Sequence, residues 1–217
     1  MIDLGCFSSA GQAWQCVLDF INRNGTERDY TDNVNEWFRV KECFDLCVSV
    51  ENGILPDPLI EKYKDEKEYE FMVRNFTSFD QVEELHNASS YAERLYAYCG
   101  QKNQIGWVVK RLKENPEQRS CAITNFEPLT DELYIPCVSM LDFQKSLEKD
   151  HVLDLYVYCR ALDWGSKAYM NMVMLMSVLM NVCRETDMKP GRMEVIVKSA
   201  HYRLSDENKV MKIIKNQ

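Results

Sequence analysis

Leu153-Asp154-Leu155-Tyr156-Val157-Tyr158-Cys159-Arg160-Ala161-Leu162-Asp163-Trp164-Gly165 begins with strict alternation and ends on a glycine. Alternation of this kind is the period of a half-buried strand, and the strand-like run extends over 152–162. Behind it, from about 166 to 186, follows a helix that is apolar nearly all round and stops before Lys189-Pro190-Gly191. Such a helix belongs in the middle of a protein. Asn171, Ser177 and Asn181 interrupt it, so its apolar run falls short of the roughly 20 residues of a membrane span. The pairing predicts an α+β fold with a mixed or antiparallel sheet packed on a long buried helix.

Working outward, strand-like runs cover 119–126 and 134–144, and a last strand over 192–200 leads to His201. In the first half, Trp14, Val17, Leu18 and Ile21 share one face of a helix over 11–22, which Asn24-Gly25 ends. Residues 36–50 are rich in β-branched and aromatic side chains and read as one or two strands, closed by Asn52-Gly53 and the turn Pro56-Asp57-Pro58. Residues 60–80 are charged and fit neither period. Helices are predicted over 81–98 and from about 103 to 114, where Asn115-Pro116 stops the second. With no repeat, low-complexity tract or linker, the chain reads as one domain over 1–217.

The 217 residues are 46% hydrophobic and 28% charged, an ordinary globular composition with room for a substantial core. A net charge of −8 argues against a nucleic-acid polymer, which needs a basic face. A mononucleotide needs only a few local arginines and stays open. Nine cysteines are an odd number, and Met1-Ile2-Asp3 starts neither a basic nor a long apolar leader. A cytoplasmic protein with free thiols is expected. Cys43 and Cys47 lack a second cysteine or histidine pair, and His86, His151 and His201 are scattered, so no metal site is expected.

Tyr134-Ile135-Pro136-Cys137-Val138 places a thiol directly after a proline, with Arg160 at the end of the next predicted strand. An ordinary cysteine has a pKa of roughly 8.5, and a neighbouring guanidinium favours the thiolate. Taken alone, a cysteine in an apolar strand such as Cys137 is more often an inert core thiol than a nucleophile.

Over roughly residues 91–205 the chain resembles the thymidylate synthase family, which includes the pyrimidine nucleotide hydroxymethylases. The resemblance rests on motifs in order. Asn115-Pro116-Glu117-Gln118-Arg119-Ser120 is similar to the family's NP-x-x-RR element, Ile135-Pro136-Cys137 to its PPC nucleophile turn, and Tyr158 to Gly165 to its YQRSGDMG stretch. Asn171 lies eleven residues past Arg160, His201 thirty past Asn171, and Lys189-Pro190-Gly191 matches a KPGD turn. The resemblance implies a family-like segment 91–205 after a divergent 1–80, and a homodimer formed through the sheet. It also implies a pyrimidine nucleoside monophosphate as substrate and 5,10-methylenetetrahydrofolate as cofactor. Cys137 would add to C6 of the base, Arg160 would lower the thiol pKa and hold the phosphate, and Asn171 would read the base. Asp163 and His201 would join the polar network, and Arg119 would reach the phosphate of the other subunit. Relatives acting on cytosine carry aspartate where Asn171 stands, which favours uracil.

The departures shape the functional expectation. Ala161 replaces a serine beside the phosphate arginine, making room for a ribonucleotide. Val138 replaces the histidine after the nucleophile, and Ser120 the second arginine. Arg203 stands where a sugar-facing tyrosine belongs, with Tyr202 adjacent. Arg23 and Arg28 are candidates for the phosphate loop, and Tyr91 and Arg94 loosely match the neighbour of a glutamate–tryptophan element. Sixteen residues follow His201, fewer than the family's closing tail, so water rather than hydride is expected to trap the one-carbon adduct and give a hydroxymethyl product. Two other readings stay open: C5 chemistry without folate, and a non-catalytic nucleotide-binding or scaffold relative.

Overall fold

The structure, a computed structural model, describes residues 1–31, 37–51, 56–80, 82–85, 88–132 and 134–216. The chain starts with β1 (Ile2–Phe7), then α1 (Ala10–Asn24), whose predicted face of Trp14, Val17, Leu18 and Ile21 is fully buried. β2 (Thr26–Thr31) and the long β3 (Trp37–Val50) follow. The ambiguous charged stretch resolves into α2 (Pro58–Tyr63) and α3 (Glu66–Thr77). Asp57 and Asp65 cap them, each side chain accepting two backbone N–H groups of its helix's first turn. The hairpin signal at Asn52-Gly53 lies outside the described residues.

The helix predicted over 81–98 is instead a 3-10 turn (Glu83–Leu85) and, after a break, α4 (Tyr91–Tyr96); residues 81, 86 and 87 are outside the described set. A capping box explains where α4 starts: the Ser90 hydroxyl accepts from Glu93 N–H, and the Glu93 carboxylate accepts from Ser90 N–H. α5 (Gln104–Glu114) ends at Asn115 as predicted.

The second half carries the sheet. β4 (Ala122–Thr124) and β5 (Val138–Lys145) are shorter than the predicted runs, so Cys137 stands in the bend ahead of β5 and not inside a strand. The predicted 152–162 strand divides into β6 (Val152–Cys159) and β7 (Leu162–Asp163), broken at Arg160-Ala161. Then come α6 (Ala168–Thr186), β8 (Lys189–Arg203) and α7 (Glu207–Lys215). Lys189-Pro190-Gly191 is the start of β8 rather than a turn. The Asp154 carboxylate of β6 crosses there to accept the Arg192 N–H at 2.9 Å, and a Cβ on Gly191 would lie 2.0 Å from it. Only glycine leaves that space.

The eight strands form one mixed sheet in the order β1-β3-β8-β6-β5-β4, with β2 on β3 and β7 on β8. β1 runs parallel to β3, and both β6 and β7 run parallel to β8; the other pairs are antiparallel. Leu141, Phe143, Leu155, Val157, Met193, Val195 and Val197 are buried on the sheet, whereas Asp142, Tyr156, Tyr158, Glu194 and Ile196 are half-exposed. Alternation therefore gives the sheet one core face and one open face. α6 is buried along most of its length, with the Tyr169 ring 4.4 Å from that of Trp14. The α+β class and the buried helix match the sequence reading. No helix among the described residues is long and apolar enough to cross a membrane.

Candidate active site

α3, the 3-10 turn, α4, the bend ahead of β5, β7 and the start of α6 meet around one cavity. Cys137 sits in the bend ahead of β5, its carbonyl accepting the Arg160 N–H at 3.0 Å. Arg160 is exposed, and its guanidinium straps the same bend: Nη2 donates to Ile135 O at 2.6 Å, and Nε to the Ile135 and Pro136 carbonyls at 3.2 Å each. The break between β6 and β7 is what lets Arg160 turn back on the Pro136–Cys137 bend. Of a guanidinium's five N–H groups, the Nη1 pair and one on Nη2 face no acceptor among the described residues.

Cys137, Asp163 and Asn171 line one cavity of about 70 Å³, together with Phe71, Leu85, Tyr91, Arg94, Tyr134, Pro136 and Lys167. Asp163 shapes the entrance to α6. Its Oδ1 accepts the Gly165 N–H at 2.9 Å and its Oδ2 the Ser166 hydroxyl at 2.8 Å. Asn171, 4% exposed, donates from Nδ2 to the Lys167 carbonyl at 2.9 Å. A carbonyl can only accept, which fixes the orientation of the amide: Oδ1 is buried without a partner among the described residues, and one Nδ2 hydrogen is uncommitted. A buried acceptor left in this condition is costly unless a ligand completes it.

The structure brings in residues that sequence reasoning gave little weight. Tyr91, the first residue of α4, is buried and accepts the Val138 N–H at 3.1 Å, so its own hydroxyl proton is free to donate beside Cys137. Burial pushes that phenol well above its usual pKa, and the neighbouring Cys137 pushes in the same direction. Arg94, one turn later, makes a buried bidentate pair with Asp131 at 2.7 and 2.8 Å. The capping-box pattern Ser90-Tyr91-Ala92-Glu93 was the sequence signal that starts this helix and aims both side chains inward. Tyr134, 43% exposed, stands at the mouth.

Other predicted residues lie elsewhere. Ala161 is half-buried in the bend between β6 and β7. His201 pairs with Asp163 across β7 and β8 and accepts the Trp164 N–H on its carbonyl; its Nδ1 is buried without a partner among the described residues, but its side chain does not line the cavity. Tyr202 is fully buried, with its hydroxyl donating to Asn22 of α1, and Arg203 is exposed over the Phe38 ring at 4.3 Å. Arg119 is exposed and lines a groove with Asp142, Tyr156 and Tyr158 on the open face of the sheet. Arg23 pairs with Asp19 and Arg28 with Glu42, neither at the cavity.

The thiol's electrostatics differ from the simple guanidinium expectation. Burial raises the Cys137 pKa above the ordinary range; Arg160 and then Lys167 pull it down, Asp163 pushes it up, and burial wins. The thiol of the ligand-free protein is therefore expected to alkylate with an inflection above that of an ordinary cysteine. Residue-resolved iodoacetamide labelling against pH measures this, and an inflection below the ordinary value would contradict it.

Comparison with known proteins gives the family. The family model described as thymidylate synthase matches residues 31–217. Proteins named "Putative thymidylate synthase" from Methanosarcina mazei and Methanosarcina barkeri are 28% and 26% identical to this chain over 205 residues, covering 94% of it and 90% of each relative. The chain belongs to the thymidylate synthase family.

Proposed function

We propose that the protein transfers a one-carbon unit to C5 of a pyrimidine nucleoside monophosphate through addition of Cys137 to C6, with hydroxymethylation favoured over methylation. The observation that carries this reading is the shared cavity of Cys137 and Asn171, with one acceptor and one N–H of the amide uncommitted. That pair complements the N3–H and O4 edge of uracil. C5 of a pyrimidine becomes nucleophilic only once C6 is occupied. The sulfur–C6 bond forms as the C5–C6 π pair moves toward C4, and C5 then attacks the one-carbon electrophile. Loss of the C5 proton frees the one-carbon unit from its carrier amine, water adds a hydroxyl to that carbon, and the returning electron pair expels the sulfur from C6. The free N–H groups of Arg160 suit a phosphate at the mouth.

A cavity of about 70 Å³ is well below the roughly 300 Å³ at which ligand pockets begin, so a nucleotide enters by parting the walls at Tyr134. For methylenetetrahydrofolate, the planar and apolar side chains of Phe71, Leu85 and Tyr134 are of the kind on which a pterin stacks, and these residues would hold it. When bound it supplies the one-carbon unit. α7 is anchored on α1 and α2, with Gln15 donating to the Ile213 and Ile214 carbonyls and Tyr63 to the Lys212 carbonyl, and contributes no residue to the cavity. Tyr134, exposed among the lining residues, leaves the cavity open to water, which supports trapping of the adduct as a hydroxymethyl group. In this reading the single-domain protein is cytoplasmic, two copies pair through the open sheet face, and Arg119 reaches the phosphate of the neighbour.

The test is C5 proton exchange in D2O with UMP, dUMP, CMP and dCMP, each with and without methylenetetrahydrofolate, read by mass spectrometry. Deuterium gain without folate is expected for a uracil nucleotide, and a one-carbon adduct only with folate. No exchange with any nucleotide would overturn the catalytic reading. Asn171→Asp is expected to move the preference from uracil toward cytosine by about tenfold or more, because a carboxylate faces O4 with no donor. Exchange in a mixture of dUMP and dCMP reads the ratio directly.

A further inference from the structure

The charged groups around the cavity differ in what holds them, and Arg160, like Lys167, has no carboxylate partner among the described residues. Arg94 is held by Asp131, Arg160 lies on the carbonyls of Ile135 and Pro136, and Asp163 accepts from Gly165 and Ser166. Lys167 is different. It is half-buried at the start of α6, lines the cavity with Cys137, and forms no ion pair among the described residues. Its ammonium stands 5.7 Å from the centroid of the Phe71 ring, a seat that steadies a cation without neutralising it. One turn further along α6 lies Asn171, whose backbone N–H and Nδ2 both donate to the Lys167 carbonyl, so the two side chains leave one face of the helix.

We propose that Lys167 supplies the counter-charge for the anion that passes through this cavity, first on the Cys137 sulfur and then on the oxygen at C4 of the pyrimidine. In the free thiolate the charge sits on Sγ. Formation of the sulfur–C6 bond sends the C5–C6 π pair toward C4, and the charge arrives on O4, the atom that the Asn171 edge addresses. The lysine takes no part in the proton transfer: in exchange a solvent deuteron adds at C5, the C5 proton leaves, and sulfur departs. A preorganised cation in a water-poor site stabilises developing charge strongly. The second half of the proposal rests on the addition chemistry proposed above; the first does not.

The groups facing Cys137 are Cys159 and Arg160 from β6 and its end, Asp163 from β7, Lys167 from α6, Tyr91 and Arg94 from α4, and Tyr134 from the loop. The charges of Arg160 and Lys167 favour the thiolate. Removing either cation adds to a pKa that burial has already raised.

Lys167→Met, Lys167→Gln and Lys167→Arg in the full chain separate the outcomes. Iodoacetamide labelling of Cys137, read residue by residue against pH, is expected to slow about tenfold at a fixed neutral pH in the Met and Gln variants, the effect of one pKa unit. Arg should retain the parent profile, and the exposed Cys6 and Cys99 serve as internal references. An unchanged Cys137 profile in both neutral variants overturns the first half. C5 exchange measured above the thiol inflection should remain slowed in the Met and Gln variants. Full recovery there overturns the second half. Absence of exchange in the unmodified protein would overturn the second half together with the functional reading, while the labelling result would stand by itself.

Discussion

Cys137→Ser is expected to lower C5 exchange by roughly four orders of magnitude or more, while the melting temperature changes little. A serine hydroxyl at this position has almost the same volume and fits the same bend. It is a poor nucleophile without an adjacent base, and loss of a covalent nucleophile commonly costs an enzyme factors of this size. No other thiol can take over. Cys159 is the neighbour on β6, but it is 6% exposed and burial drives its pKa far up, with Cys137 adding to the effect. Its side chain also does not line the cavity. Exchange in the serine variant within tenfold of the parent would remove Cys137 from the reaction, and with it the proposed addition at C6.

The part of this site that was legible in the sequence is the part carried by local pattern. The Pro136–Cys137 turn, Arg160, Asp163 and Asn171 fall within 36 residues of chain, counting from 136 to 171, and their order and spacing could be read directly. The alternation of 153–158 and the apolar length of 166–186 likewise depend on burial by neighbours in the sheet and core, which leaves a periodic trace. β2 left none, because all six of its residues are exposed. β1 runs parallel to β3, a long-range pairing, and its residues lie mostly outside the core.

What sequence could not weigh was electrostatics across the chain. Arg160 read as an activator of Cys137 and a phosphate ligand. In the fold it is also a structural strap, and its charge is outweighed by the burial of the thiol. Lys167 carried no motif at all, since its importance depends on which charges around it are engaged and which are not. Tyr202 illustrates the other limit. A one-residue difference in register decides whether a strand side chain meets the core or the opposite side, and here the fold buries Tyr202 against α1.

The largest stability effect is expected at the Arg94–Asp131 pair. Arg94 is 2% exposed, and its guanidinium meets Asp131 twice, the Asn125 carbonyl at 2.6 Å and the Ser89 carbonyl at 3.1 Å. Asp131 in turn accepts the Glu127 N–H at 2.8 Å, closing the segment beneath the cavity. Asp131→Ala leaves a buried cation with carbonyl partners only, a loss of about 3–5 kcal/mol. For a chain of this length that corresponds to a fall in melting temperature of roughly 6–20 °C. Arg94→Met with Asp131→Leu removes both charges and should recover most of the loss, because the pair's attraction is largely offset by its own desolvation. A single alanine variant that melts within about 2 °C of the parent would show that water reaches the guanidinium. The effect should also reach the thiol. Asn125 donates from Nδ2 to the Val138 carbonyl at 3.2 Å, directly after Cys137, so loosening 125–131 frees one side of the Cys137 bend. Cys137 in Asp131→Ala is therefore expected to label faster than in the parent at the same pH, although none of its charged neighbours named above has been changed except through Arg94.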